Sequence, residues 1–309
     1  MTVPALTVAA LADQPELAGY QDEPAQLPSG APGKNGSLRL GFAPRGDRTE
    51  LVDLHRRAPL LVQQALHWDE GMPDLACVFI VSTSGGTLQG DRYAIDIALA
   101  AGARAHVTTQ SATKIQEMDA NHASQEQEIR LAEGSYLEYL PDPVIPYAHS
   151  RFAGRTRATV APDATLLFAE VVLPGRKYYG DGELFAYDVY SSTFEARRPD
   201  GRELCAEKVL VEPGRFHPAR CGVLGGFHVW GTVMLITPPA HAERILARVP
   251  ATVREDLAAG ASRLPNHAGL VYRVLGMESE PVQAAVRDFW TLVRREVVDR
   301  PVPARFRWR

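Results

Sequence analysis

Three carboxylates set in unusual company are the residues of this chain best suited to chemistry. Glu138 and Asp142 sit four positions apart in Glu138-Tyr139-Leu140-Pro141-Asp142-Pro143. In a straight strand they would share a face about 13 Å apart, at roughly 3.3 Å per residue. That is wider than the approximately 5 to 9.5 Å between the carboxyls of a glycosidase pair. Pro141 and Pro143 bend the chain, so spacing alone does not make the pair catalytic. Glu170 lies inside the apolar run Leu166 to Leu173. A carboxylate there needs a partner or a wet cavity, unless the strand edge is solvated.

Other polar segments have plainer readings. Thr108-Thr109-Gln110-Ser111-Ala112-Thr113-Lys114 concentrates hydroxyls, an amide and a cation that suit a polar channel or a small oxyanion. Threonines are also ordinary strand residues. Ser84-Gly85-Gly86-Thr87-Leu88-Gln89-Gly90-Asp91 has the glycines of a phosphate loop but no Gly-Lys-Ser/Thr end, and a strand pattern follows instead of a helix. It reads as a turn, with Asp91 a carboxylate at a strand entrance. The lone histidines His106 and His228 read as hydrogen-bonded core residues more readily than as ligands. No nucleophile, base and oxyanion set is recognisable.

The elements that must position these groups follow a cadence. Ile95 to Thr109 turns at Ala101-Gly102, Glu128 to Leu140 at Glu133-Gly134, and Thr156 to Val171 at Pro162-Asp163. Turns about 30 residues apart mark stacked strand units whose polar ends converge. The fold expected is mainly β: β-helix-like stacked strands in a flattened body, with a few helices toward the C-terminus. Ser37 to Phe42, Ala76 to Ser82, Phe185 to Phe194, Lys208 to Glu212 and Gly226 to Thr237 also read as strands. From Pro281, Val282, Val286, Phe289, Trp290, Val293 and Val297 recur at helical spacing. Shorter helices are expected over 240–248 and 253–261. Met1 to Gly36, rich in Pro, Ala and Gly, reads as a flexible segment before a single domain from 37 to 309.

The 309 residues, 45% hydrophobic and 23% charged with net charge −4, are ordinary for a globular protein and give no basic surface for nucleic acid. No apolar run nears the roughly 18 residues of a membrane span, and Thr2 to Ala12 lacks the basic flank of a signal peptide. Three scattered cysteines fit a reduced, cytoplasmic setting. The nine histidines include no paired metal motif.

Taken together, Gly85-Gly86-x-x-x-Gly90-Asp91, the 108–114 segment and Leu137 to Pro146 resemble the urease accessory protein D family, called H in some systems. Glu170 with Gly175-Arg176, Gly182-Glu183-Leu184-Phe185 and Arg273-x-Leu275-Gly276 are similar to it as well. The resemblance implies a non-enzymatic chaperone or scaffold for nickel insertion. It implies binding to a helical accessory protein (F), to a nickel GTPase (G) and to apo-urease, with a dimer of the accessory complex as a further state. It places no tightly bound cofactor here, only nickel in transit along a water-filled passage. Asp91, Thr108, Thr109, Glu138, Asp142 and Glu170 would line that passage, and Glu138, Asp142 and Glu170 would be transient metal ligands. Weak oxygen ligands suit a metal that must be released. The alternative is a β-solenoid enzyme acting on a polar or glycan substrate through paired carboxylates.

Overall fold

The computed structural model describes Leu11, residues 14–22 and residues 33–303. The chain runs through β1 (Asn35–Arg45), β2 (Arg48–Arg57), β3 (Leu60–Leu61), β4 (Ala76–Ser82), β5 (Arg92–Leu99) and β6 (Arg104–Thr109). It continues through β7 (Thr113–Ile115), β8 (Ala123–Leu131), β9 (Tyr136–Tyr139), β10 (Val144–Pro146), β11 (Arg151–Val160) and β12 (Thr165–Val172). There follow β13 (Val189–Arg197), β14 (Glu203–Val211), β15 (Val229–Ile236), α1 (Pro239–Leu246), β16 (Thr252–Val253), β17 (Leu257–Arg263), β18 (Gly269–Gly276) and α2 (Ser279–Val298).

The repeated cadence is a coil between two open, flattened sheets. Each unit lays one strand in each sheet: β5 then β6, β8 then β9, β11 then β12. Within each sheet these strands are parallel, so Arg92 lies beside Ser124 and Ala123 beside Phe152, while Arg104 and Thr165 flank Tyr136. The turns stack as well. Gly102 N–H donates to the Glu133 carbonyl at 2.9 Å, and Ala161 N–H to that of Leu131 at 3.0 Å. Gly102 and Gly134 have φ of 70° and 62°, the left-handed region glycine enters without steric cost. Antiparallel β2 and β14 flank the seven-stranded sheet, and β15, β18 and β17 extend the eleven-stranded one.

Alternation on β12 divides the core. Leu166 and Phe168 enter the cluster between the sheets with Leu38, Ile97 and Ile129. Leu167, Ala169 and Val171 face the other way, onto Val282, Phe289 and Val293 of α2. Both faces are covered, which is why the strand reads as an almost unbroken apolar run. The inward parity puts Glu170 on the same side as Phe168.

The helix expected over 253–261 is instead β16 and β17. Gly260 weakens a helix, and the small side chains from Ala258 to Ser262 let the segment pair with β18 along its length. The strand expected from Phe185 begins only at Val189, because residues 173–188 form the loop before it and Phe185 itself has φ 55°, outside the strand region. Most of the Met1 to Gly36 segment lies outside the described residues. Of its described part, Leu11 and Leu17 are buried against Ala153 and Val189, and Ser191 donates to Glu16 at 2.6 Å. Among the described residues no helix is long and apolar enough to cross a membrane.

Candidate functional site

A cavity of about 200 Å³ lies between the sheets, and Thr109, Gln127, Asp142, Glu170, Tyr190 and Ser192 are among its lining residues. Glu170 projects from one sheet and the Ser192 hydroxyl of the other donates to it at 2.9 Å. Burial pushes the Glu170 carboxyl above its ordinary range, with hydrogen bonds from Ser192 and Tyr190 pulling against it. The buried Tyr190 hydroxyl lies against the Glu170 carboxyl, and the buried Gln127 amide against the Tyr139 hydroxyl. Such a lining calls for water or a polar guest.

A second cavity, about 410 Å³, lies under α2 on the outer face of the eleven-stranded sheet. Trp68, His106, Thr108, Asp142, Glu280 and Trp290 border it. Strand alternation separates the two threonines, so Thr109 faces the first cavity and Thr108 the second. The Thr108 hydroxyl donates to the Leu140 carbonyl at 2.7 Å, and Thr109 accepts the Asp142 N–H at 2.9 Å. These bonds hold the segment after β9, where Pro141 and Pro143 bend the chain. Asp142 therefore borders both cavities.

Asp91 and Glu138 border neither. The fully buried Asp91 carboxylate accepts Lys34 N–H at 3.0 Å, Leu88 N–H at 2.8 Å and the Tyr93 hydroxyl at 2.5 Å. It fastens the glycine-rich turn, whose Gly85 and Gly90 have φ of 72° and 75°, to the start of β1. Glu138 is also fully buried. Its Oε1 accepts Tyr136 Oη and Arg294 Nε, both at 2.7 Å, and its Oε2 meets Arg294 Nη2 and His106 Nδ1, both at 2.8 Å. Arg294 also pairs with buried Asp69. Burial alone would raise the Glu138 carboxyl, but the hydrogen bonds from Arg294 and His106 and the charge of Arg294 outweigh it and hold it at about 2.

Thr109, Asp142 and Glu170 thus meet around one cavity, Thr108 joins Asp142 at the other, and Asp91 and Glu138 serve as internal anchors. Sequence reasoning missed Ser192, Tyr190, Asp69 and Arg294. Arg294 left one usable signal: it stands four residues after Trp290, on the edge of the apolar stripe of α2, where a cation needs a buried partner.

The motif residues 175–176 and 182–185 close a single loop. Arg176 Nε donates to Glu183 at 2.7 Å, and its guanidinium lies 4.1 Å from the Tyr147 ring and 3.9 Å from that of Tyr179. Gly175 has φ 128°, and a Cβ there would lie 2.4 Å from the Glu183 carbonyl oxygen. Gly175→Ala is expected to cost about 1–3 kcal/mol of backbone strain. Denaturant unfolding with limited proteolysis checks this, and cleavage should appear first within 174–185.

The family model described as UreD urease accessory protein matches residues 34–309. Urease accessory protein UreD 2 of Brucella canis is 57% identical to this chain, covering 95% of it and 98% of the relative. The protein of the same name from Brucella suis has the same identity and coverage. Urease accessory protein UreD of Yersinia pseudotuberculosis is 50% identical, over 96% of this chain and 92% of its own.

Proposed function

The chain belongs to the UreD urease accessory protein family, with a role in urease maturation, and from this we propose that it is a scaffold that conducts nickel to apo-urease. In this reading it binds the helical accessory protein and its nickel GTPase on one side and apo-urease on the other. It works in a reducing, cytoplasmic setting and turns over no substrate. Nickel is cargo in transit and is not tightly bound.

The observation that carries the reading is the placement of Asp142 on both cavities, with Glu170 facing one of them. A divalent ion crossing the sheet needs oxygen donors on each side, strong enough to attract it and weak enough to release it. Carboxylates bordering cavities large enough for water supply that balance, and Tyr190, Gln127 and Ser192 add polar groups to the lining. The enzyme alternative needs two carboxyls facing across one groove. Glu138 is a poor member of such a pair, since Arg294, His106 and Tyr136 take both its oxygens.

Glu170→Ala and Asp142→Ala are each expected to lower nickel delivery while co-purification with the accessory partners and apo-urease is unchanged. The measurement is nickel content and specific activity of urease matured with each variant. Full activation by both would remove the conduit and leave a structural adaptor.

A further inference from the structure

We propose that His106 is a nickel ligand through Nε2 at the cavity under α2, with Glu138 orienting the ring from behind instead of binding metal itself. The inference rests on nickel being the cargo, but not on the carboxylates conducting it.

Alternation on β6 puts His106 and Thr108 on the same face, and both border that cavity. His106 Nδ1 lies 2.8 Å from Glu138 Oε2. With Arg294 Nε and Nη2 also directed at it, Glu138 is ionised and can only accept, so the proton of this bond sits on Nδ1. In the neutral ring the lone pair is then on Nε2, at the edge of the imidazole away from Glu138. Among the described residues no hydrogen bond engages Nε2. The residue is buried, with 7% of its surface exposed. Its ring stacks on Trp290 at 5.4 Å, with Trp68 edge-on at 6.5 Å.

This is how proteins prepare a metal-binding histidine: a carboxylate takes the other ring N–H, fixes the tautomer and raises the basicity of the free nitrogen. Imidazole is a good donor to nickel. Among the described residues no group of three metal-ligating side chains is assembled. One imidazole with water in the remaining positions makes a weak site, which suits a stop and not a store. Asp142 borders the same cavity and the one beyond the sheet, so it is placed to take the ion onward.

The test uses the full-length chain labelled with ¹⁵N-histidine and titrated with nickel chloride. The Nε2 resonance of His106, assigned by its disappearance in His106→Gln, should broaden with the first nickel and not with magnesium. By equilibrium dialysis, His106→Gln should bind about one nickel fewer per chain, because the oriented imidazole is lost. An Nε2 signal indifferent to nickel, or equal binding by His106→Gln, overturns the assignment. Should His106→Gln fold poorly, His106→Asn supplies the assignment and the wild-type titration decides. Nickel on His106 with full delivery by the Asp142 and Glu170 variants would keep this ligand and remove the conduit. A silent His106 with failed delivery by those variants would do the reverse.

Discussion

Arg294→Met is expected to destabilise the folded chain by about 3–5 kcal/mol, because it leaves buried carboxylates without their cation. Arg294 joins α2 to Glu138 on β9 and to Asp69 in the segment before β4, and all three side chains are at most 1% exposed. Methionine replaces the volume of the stem but none of the hydrogen bonds. Chemical denaturation of the parent and the variant measures the loss.

The effect has a defined pH dependence. In the parent, Glu138 is held at about 2 against an ordinary 4.5. Its contribution to stability is therefore full above about 4.5 and is lost as pH falls toward 2. In the variant Glu138 has no guanidinium, burial raises its affinity for a proton, and acid relieves the penalty. The stability gap between the two proteins should narrow as pH falls below neutrality toward 4. A gap constant from pH 7 to pH 4 would mean that packing of the stem, not charge, is what Arg294 supplies.

Gly154→Leu is expected to reduce nickel delivery to about a tenth or less, since a close-packed interior has no room for both a side chain and a hydrated ion. Gly154 lies on β11 and borders the cavity between the sheets. A Cβ there meets nothing nearer than Phe152 Cε1 at 3.3 Å, a ring edge that needs to yield only slightly. The leucine side chain would then extend into a space of about 200 Å³. Gly154→Ala is the graded control and should deliver nearly as the parent does. Urease nickel content, with partner co-purification as the test of folding, separates the outcomes. Undiminished activation by Gly154→Leu would place the route elsewhere, whatever the carboxylate variants do.

The cadence of Ile95 to Thr109, Glu128 to Leu140 and Thr156 to Val171 was legible because strand alternation and glycine turns are local properties. Each unit carries its own inward and outward pattern, and stacking repeats it. The α2 stripe was legible for the same reason, through helical spacing. Residues 253–261 were not, because their alanines favour a helix in isolation and only the neighbouring β18 makes a strand the better state. Propensity lost there to pairing with a segment formed later in the chain.

The polar residues divide along the same line. The sequence by itself determined the family motifs, the stacked β body and the presence of carboxylates in apolar surroundings. A carboxylate at Glu138 or Glu170 advertises the same desolvation cost in one dimension, and its role depends on who compensates it. Glu138 meets an arginine 156 residues away and becomes an anchor. Glu170 meets a serine hydroxyl across a cavity and keeps its proton affinity raised. Only the tertiary structure decided which was which, because the compensating charge is brought by packing α2 on the sheet and no local pattern encodes that distance.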